Sequence, residues 1–174
     1  MKSLLILTDE QSEFLVSKAD HIGYTSMDVG KIADYFTRRV FSAKVSRFSE
    51  LDLRGNYRGV YIVDQSSETP GGFYKRYIES IIYFLERKGA IALPNSEYLR
   101  AHHDKVFMEL VRSGFSDAAL KTLESKPYGS WVDALGYNSG FPVVIKSASS
   151  SASAGVFLAR NKSEFDKAVK KAGK

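Results

Sequence analysis

Phe141-Pro142-Val143-Val144-Ile145-Lys146-Ser147-Ala148-Ser149-Ser150-Ser151-Ala152-Ser153-Ala154-Gly155-Val156-Phe157-Leu158-Ala159 is the stretch on which the reading of this chain turns. Two apolar runs, Val143–Ile145 and Val156–Ala159, flank a loop of Ser and Ala that closes on Gly155. β-Branched runs around a small-residue loop predict strand, loop, strand. Pro142 stands where a strand can begin without losing a ladder donor. Lys146 ends the first strand, so its ammonium can reach over the mouth of the loop. Small side chains let backbone N–H groups approach an anion, and a neighbouring Lys adds a point charge. Polyphosphate binding needs that combination. A surface hairpin with a soluble Ser-rich tip has the same composition.

Downstream, Ser163 with Asp166 three residues on predicts a capped helix whose apolar stripe is Phe165, Ala168, Val169 and Ala172. Upstream, Asn95 or Ser96 caps a helix carrying Tyr98, Leu99, Val106, Phe107, Leu110 and Val111, ended by Gly114. Asp104-Lys105 is expected inside that helix. From Phe115 to Asn138 the periodicity breaks into short pieces around Lys126-Pro127-Tyr128-Gly129, which reads as the link to a second unit.

The first 94 residues read as α/β. Lys2–Thr8 is a compact apolar run, expected as a buried first strand of a parallel sheet. Residues 9–27 give no clear signal. Asp28 precedes Val29, Ile32, Ala33, Phe36 and Val40, apolar at helical spacing after a good N-cap. Ala43–Phe48 alternates imperfectly as a short strand. Val60-Tyr61-Ile62-Val63, within Tyr57–Asp64, is a second buried strand, followed by the turn-rich Gln65–Gly72. Phe73–Lys88 is the longest helix, with Phe73, Tyr77, Ile78, Ile81, Ile82 and Leu85 on one face and Gly89 at its C-cap. Ala90–Leu93 is a strand stopped by Pro94. Strand, helix, strand, strand, helix, strand argues a mostly parallel sheet. Such sheets bind ligands beyond the carboxyl ends of their strands, so Ser66–Gly72 is a candidate surface as well as a plain connection.

Bulk composition removes several classes. A chain of 174 residues, 44% hydrophobic and 26% charged, suits a globular protein with a core. No run nears the roughly 18 apolar residues of a membrane span. Leu4-Leu5-Ile6-Leu7 is too short for a signal-peptide core. There is no Cys, which removes disulfides and Cys-based zinc sites and fits a cytoplasmic location. The net charge of +5 invites a nucleic-acid reading, but residues 161–174 supply +3 of it from five Lys on an amphipathic helix. A solvated helix face accounts for that charge, and no nucleic-acid partner is expected. Adjacent His102 and His103 point roughly 100° apart on a helix and cannot share a metal as i, i+4 ligands would. The Gly-x-Ser-x-Gly, Gly-x-Gly-x-x-Gly and Gly-Lys-Ser/Thr patterns are absent.

What remains is Asp104-Lys105 on a helix and Lys146, 41 residues later, ending a strand before a Ser-rich loop that closes on Gly155-Val156. That arrangement, after an α/β domain, resembles the ATP-grasp superfamily. The resemblance implies a Rossmann-like pre-ATP-grasp domain over 1–94 and the start of an ATP-grasp α+β domain over 95–174. By the same resemblance Lys105 and Lys146 contact nucleotide phosphates. The backbone of Ser149, Ser150, Ser151, Ser153 and Gly155 covers the β- and γ-phosphates. This chain departs from the family pattern in having one Gly in that loop, and Ser and Ala do not reach φ > 0 cheaply.

In that superfamily, acidic residues and Asn downstream of the hairpin hold Mg²⁺. The chain is therefore expected to be an amino-terminal fragment of a carboxylate–amine or carboxylate–thiol ligase working through an acyl phosphate. ATP, Mg²⁺ and a small carboxylate would be its ligands in the full-length protein, and the isolated fragment would be inactive. No catalytic residue or metal ligand is assigned within it. A second copy of the chain is a candidate partner. The alternative from a different class is a non-enzymatic α/β ligand-binding module.

Overall fold

The computed structural model describes residues 1–17, 24–65, 73–117, 125–138, 140–148 and 155–173. They divide into two compact units, Met1–Leu99 and Arg100–Lys174. Among the described residues no helix is long and apolar enough to cross a membrane.

The first unit is built on β1 (Lys2–Thr8), as its apolar run predicts. β1 lies between β4 (Phe41–Arg47) and β5 (Tyr61–Val63), and β6 (Ile91–Leu93) completes the order β4-β1-β5-β6. Every pairing in this sheet is parallel, with Leu4–Ile6 of β1 matched to Tyr61–Val63 and then to Ile91–Leu93 across β5. Both faces of β1 are used, which explains why its sequence is continuously apolar rather than alternating. Leu4 and Ile6 face α1 (Val29–Thr37), with Ile32, Ala33 and Phe36 packed on them. Leu5, Leu7 and Ile62 face α2 (Phe73–Arg87), against Ile78, Ile82 and Leu85. A short antiparallel pair, β2 (Leu15–Ser17) and β3 (Tyr24–Ser26), occupies part of the stretch that gave no sequence signal.

The boundaries follow local chemistry. Asp28 N-caps α1, its carboxylate accepting from the Lys31 amide at 3.0 Å. Val40 falls outside α1 and is 61% exposed, so the helix stops one turn before the apolar spacing suggested. Gly89 has φ +87 after α2, and a Cβ there would lie 3.3 Å from the Arg58 Cα, so both conformation and space require glycine.

The second unit contains α3's last residues, α4 (Lys105–Ser113), α5 (Trp131–Ala134), β7 (Val143–Lys146), β8 (Val156–Ala159) and α6 (Lys162–Ala172). α3 spans Ser96–His103. The single helix expected from Asn95 to Gly114 is two helices. Asp104 takes an extended conformation (φ −106, ψ 98) and its carboxylate accepts from the Phe107 amide at 2.9 Å. A short acidic side chain bonding to its own backbone ends one helix and starts another.

The cap of α6 also differs from the sequence reading. Asn161, not Ser163, is the N-cap, accepting from the Glu164 amide at 3.0 Å. The Glu164 carboxylate returns to the Arg160 amide at 2.8 Å. Two overlapping polar-x-x-acid patterns were present, and the earlier one is used. The apolar stripe itself is as expected, with Phe165, Ala168 and Val169 buried.

The two cores differ in size. The first unit buries ten side chains around the α2 face, whereas the second buries Ala134, Ala159, Phe165 and Val169 in its cluster. On β7–β8 the outer residues Val144 and Leu158 are 57% and 50% exposed. A two-stranded ribbon with one open face is held less firmly than a strand inside a four-stranded sheet. The amides of Val144 and Ile145 are therefore expected to exchange faster than that of Ile62. Mass spectrometry or NMR exchange showing equal protection would contradict this ranking.

Candidate functional site

The predicted hairpin forms. β7 and β8 pair antiparallel in the register Val143–Ala159, Val144–Leu158, Ile145–Phe157 and Lys146–Val156. Alternation puts Val143, Ile145, Phe157 and Ala159 on the inner face and Val144, Lys146, Val156 and Leu158 on the outer. The inner face packs on α6, where Phe165, Tyr137 and Phe141 form a three-ring cluster with centroids 5.1 to 6.1 Å apart. Lys162 of α6 donates to the Leu135 carbonyl and, at 2.8 Å, to Asp166, which ties α6 to the end of α5.

Lys146 is exposed as the last residue of β7, on the same face as Val144. Beyond it the ladder continues by one bond, the Ser147 amide donating to the Gly155 carbonyl at 2.9 Å. Gly155 has φ +72, a left-handed conformation that glycine adopts at no steric cost. The single glycine of the loop stands where the backbone needs one. Ser149, Ser150, Ser151 and Ser153 lie outside the described residues.

Lys105 comes to the same end of the hairpin. Its amide donates to the Ala148 carbonyl at 3.4 Å, two residues past Lys146. The break at Asp104 makes this contact available, because it turns Lys105 from a mid-helix residue into the first residue of α4. In a helix interior that amide would be taken by the preceding turn. The sequence signal for the break was Asp104 followed by a fresh apolar period at Phe107, Leu110 and Val111. Arg100, whose guanidinium stacks on the Phe107 ring at 4.4 Å, stands 3.9 Å from the Asp104 carboxylate.

The described residues thus place the Lys105 amide and the exposed Lys146 at one end of the hairpin. Among the described residues no cluster of three His, Cys, Asp or Glu side chains could hold a metal ion. The described residues thus do not fit a Mg²⁺ site.

The first unit has a separate open cleft of about 420 Å³ at the carboxyl ends of β1 and β4. Thr8, Ser12, Val29, Ser46, Arg47 and Glu50 are among its lining residues. Arg47 and Glu50 pair at its edge, Nε to Oε1 at 2.9 Å, and this bond holds the exposed Glu50 carboxyl below its usual range.

No protein-family model matches the sequence. No curated protein matches it either. Among solved structures, the chain is similar to a RimK-domain ATP-grasp protein from Sphaerobacter thermophilus, at 15% identity and a TM-score of 0.44, over 97% of this chain. This chain spans 59% of the length of that one.

Removing the Asp104 cap tests how Lys105 is positioned. Asp104→Ala is expected to cost about 1 kcal/mol in chemical denaturation, with Asp104→Asn near wild type, because either oxygen can accept from the Phe107 amide. Equal losses in both variants would mean that charge toward Arg100, not capping, is what Asp104 supplies.

Proposed function

We propose that this chain provides the phosphate grip of an ATP-grasp ligase that joins a carboxylate to an amine or a thiol. The supporting observation is the hydrogen bond from the Lys105 amide to the Ala148 carbonyl, which brings two lysines distant in sequence to one end of one hairpin. Two lysines at one end of a hairpin and a loop of small residues suit the demands of a triphosphate. In such a reaction a carboxylate oxygen attacks the γ-phosphorus and the bond to the β–γ bridging oxygen breaks, giving an acyl phosphate and ADP. The nucleophile then displaces phosphate at the acyl carbon.

In this reading Lys105 and Lys146 hold phosphate oxygens and offset their charge as it shifts toward the leaving ADP. The amides of Ser149, Ser150, Ser151, Ser153 and Gly155 close over the terminal phosphates. The exposed Val144 and Leu158, beside Lys146, offer an apolar floor to a flat base. In this reading the functional domains are 1–94 and 95–174, a boundary five residues before the end of the first compact unit at Leu99. The carboxylate, the nucleophile and the Mg²⁺ ligands are not assigned to residues of this chain. A second reading, an α/β ligand-binding module, is favoured by the cleft between the carboxyl ends of β1 and β4.

Lys146→Met separates a ligand role from a structural one. Among the described residues Lys146 makes no ion pair with a carboxylate, so its loss leaves no buried charge behind. In the natural full-length protein the variant is expected to keep its melting temperature within a degree or two and bind ATP roughly 10- to 100-fold more weakly, as for a charged hydrogen bond lost. A large fall in melting temperature with ATP affinity intact would refute the assignment.

A further inference from the structure

Asp64 follows β5 directly and is 3% exposed, yet among the described residues neither carboxyl oxygen has a hydrogen-bond partner. Its amide donates to the Leu93 carbonyl, so it holds strand register one step beyond the Ile6–Val63 pair. Alternation from Ile62 turns it to the α2 face, where the neighbours of that layer are Leu7, Ile78, Ile82 and Leu99. A carboxylate with no donor in such a setting is costly, and the group stays protonated instead. Burial, reinforced by the charge of Glu86, pushes its pKa up to about 8.

Glu86 is itself committed. One carboxyl oxygen accepts from the Ser96 amide at 3.2 Å and the other from the Ser96 hydroxyl at 2.5 Å. Ser96 is the first residue of α3 and is buried. These bonds clasp the first turn of α3 to α2. The helix has its own cap as well, Asn95 accepting from the Tyr98 amide at 2.9 Å. The clasp is therefore a docking contact, separable from helix formation.

We propose that Asp64 and Glu86 form a proton-operated latch: neutral Asp64 lets the Glu86 carboxylate hold Ser96, and ionised Asp64 repels it and frees the first turn of α3 from α2.

Among the described residues little opposes that repulsion. α2 contributes Glu86, α3 contributes neutral Ser96, and β1 contributes apolar Leu7. Past β1, the Asp9 carboxylate is taken by the amides of Gln11 and Glu13, each at 2.9 Å. At the far end of α2, burial and the charges of Glu10 and Asp9 raise the Tyr74 hydroxyl to about 12, so it stays neutral throughout. Among the described residues no basic group acts on Asp64. The sign follows from linkage. Between the ordinary carboxyl value of 3.8 and about 8 the folded chain holds a proton that the unfolded chain has released, so this group's contribution to stability falls as pH rises through that window. The clasp then loosens as the folded group ionises near pH 8.

Amide exchange of the 174-residue chain, expressed as protection factors from pH 6.5 to 9.5, tests the latch, with Tyr98 as the internal control. Ser96 is expected to lose protection about tenfold across pH 8 while Tyr98 keeps its own, and Asp64→Asn should abolish the step. A flat Ser96 profile, or a step that survives in Asp64→Asn, would overturn the proposal. If that variant fails to fold, carbon-13 titration of the wild-type Asp64 carboxyl decides. A midpoint near 8 coinciding with the Ser96 step supports the latch, and a midpoint below 5 overturns it.

Discussion

The inner face of the β7–β8 ribbon must be covered, and α6 is what covers it. Phe165 and Val169 fill the space beneath Val143, Ile145 and Ala159, with Tyr137 and Phe141 completing the ring cluster. A two-stranded ribbon has too little buried surface to persist alone in water. Packed on α6, it holds Lys146 at a fixed strand end and gives the Ala148 carbonyl a place for α4 to bond. Gly173, at the end of α6, belongs to the same assembly, since a Cβ there would lie 2.9 Å from the Trp131 side chain of α5. The positioning of both lysines is thus a consequence of apolar packing on the opposite side of the ribbon.

The sheet and the ribbon were legible because they rest on patterns that sequence displays directly. A continuous apolar β1 means burial on both faces, and the structure places α1 and α2 there. Lys146 and Gly155 were legible from strand ends and a small-residue loop. Asp104 was misplaced because helical periodicity survives a one-residue break when the apolar stripe resumes near its old phase. Phe107, Leu110 and Val111 could belong to either one long helix or a second short one. The backbone competition of a single Asp decided it, and that competition has no period to read. The α6 cap was misread for a related reason, because Asn161 with Glu164 and Ser163 with Asp166 are equally good local patterns. Asp64 stood in plain view after a buried strand, but its lack of a partner depends on which groups the fold brings near.

The two units use polar groups in opposite ways. In the second, the charge of Lys146 is kept exposed at the ribbon's end. In the first, Asp64 is enclosed with no donor among the described residues, while Glu86, whose charge acts on it, satisfies Ser96. The enclosed Asp64 carboxyl, its pKa pushed up to about 8 by burial, exchanges its proton just above neutrality.

Convergence of Lys105 and Lys146 on one ligand is the central claim, and lysine labelling reads it directly. The natural full-length protein would be acetylated briefly with acetic anhydride, with and without millimolar ATP, and each lysine quantified by mass spectrometry. ATP is expected to slow modification of Lys105 and Lys146 together, leaving Lys170 and Lys171 of α6 unchanged. Unaltered reactivity of both, or protection of one without the other, would contradict it.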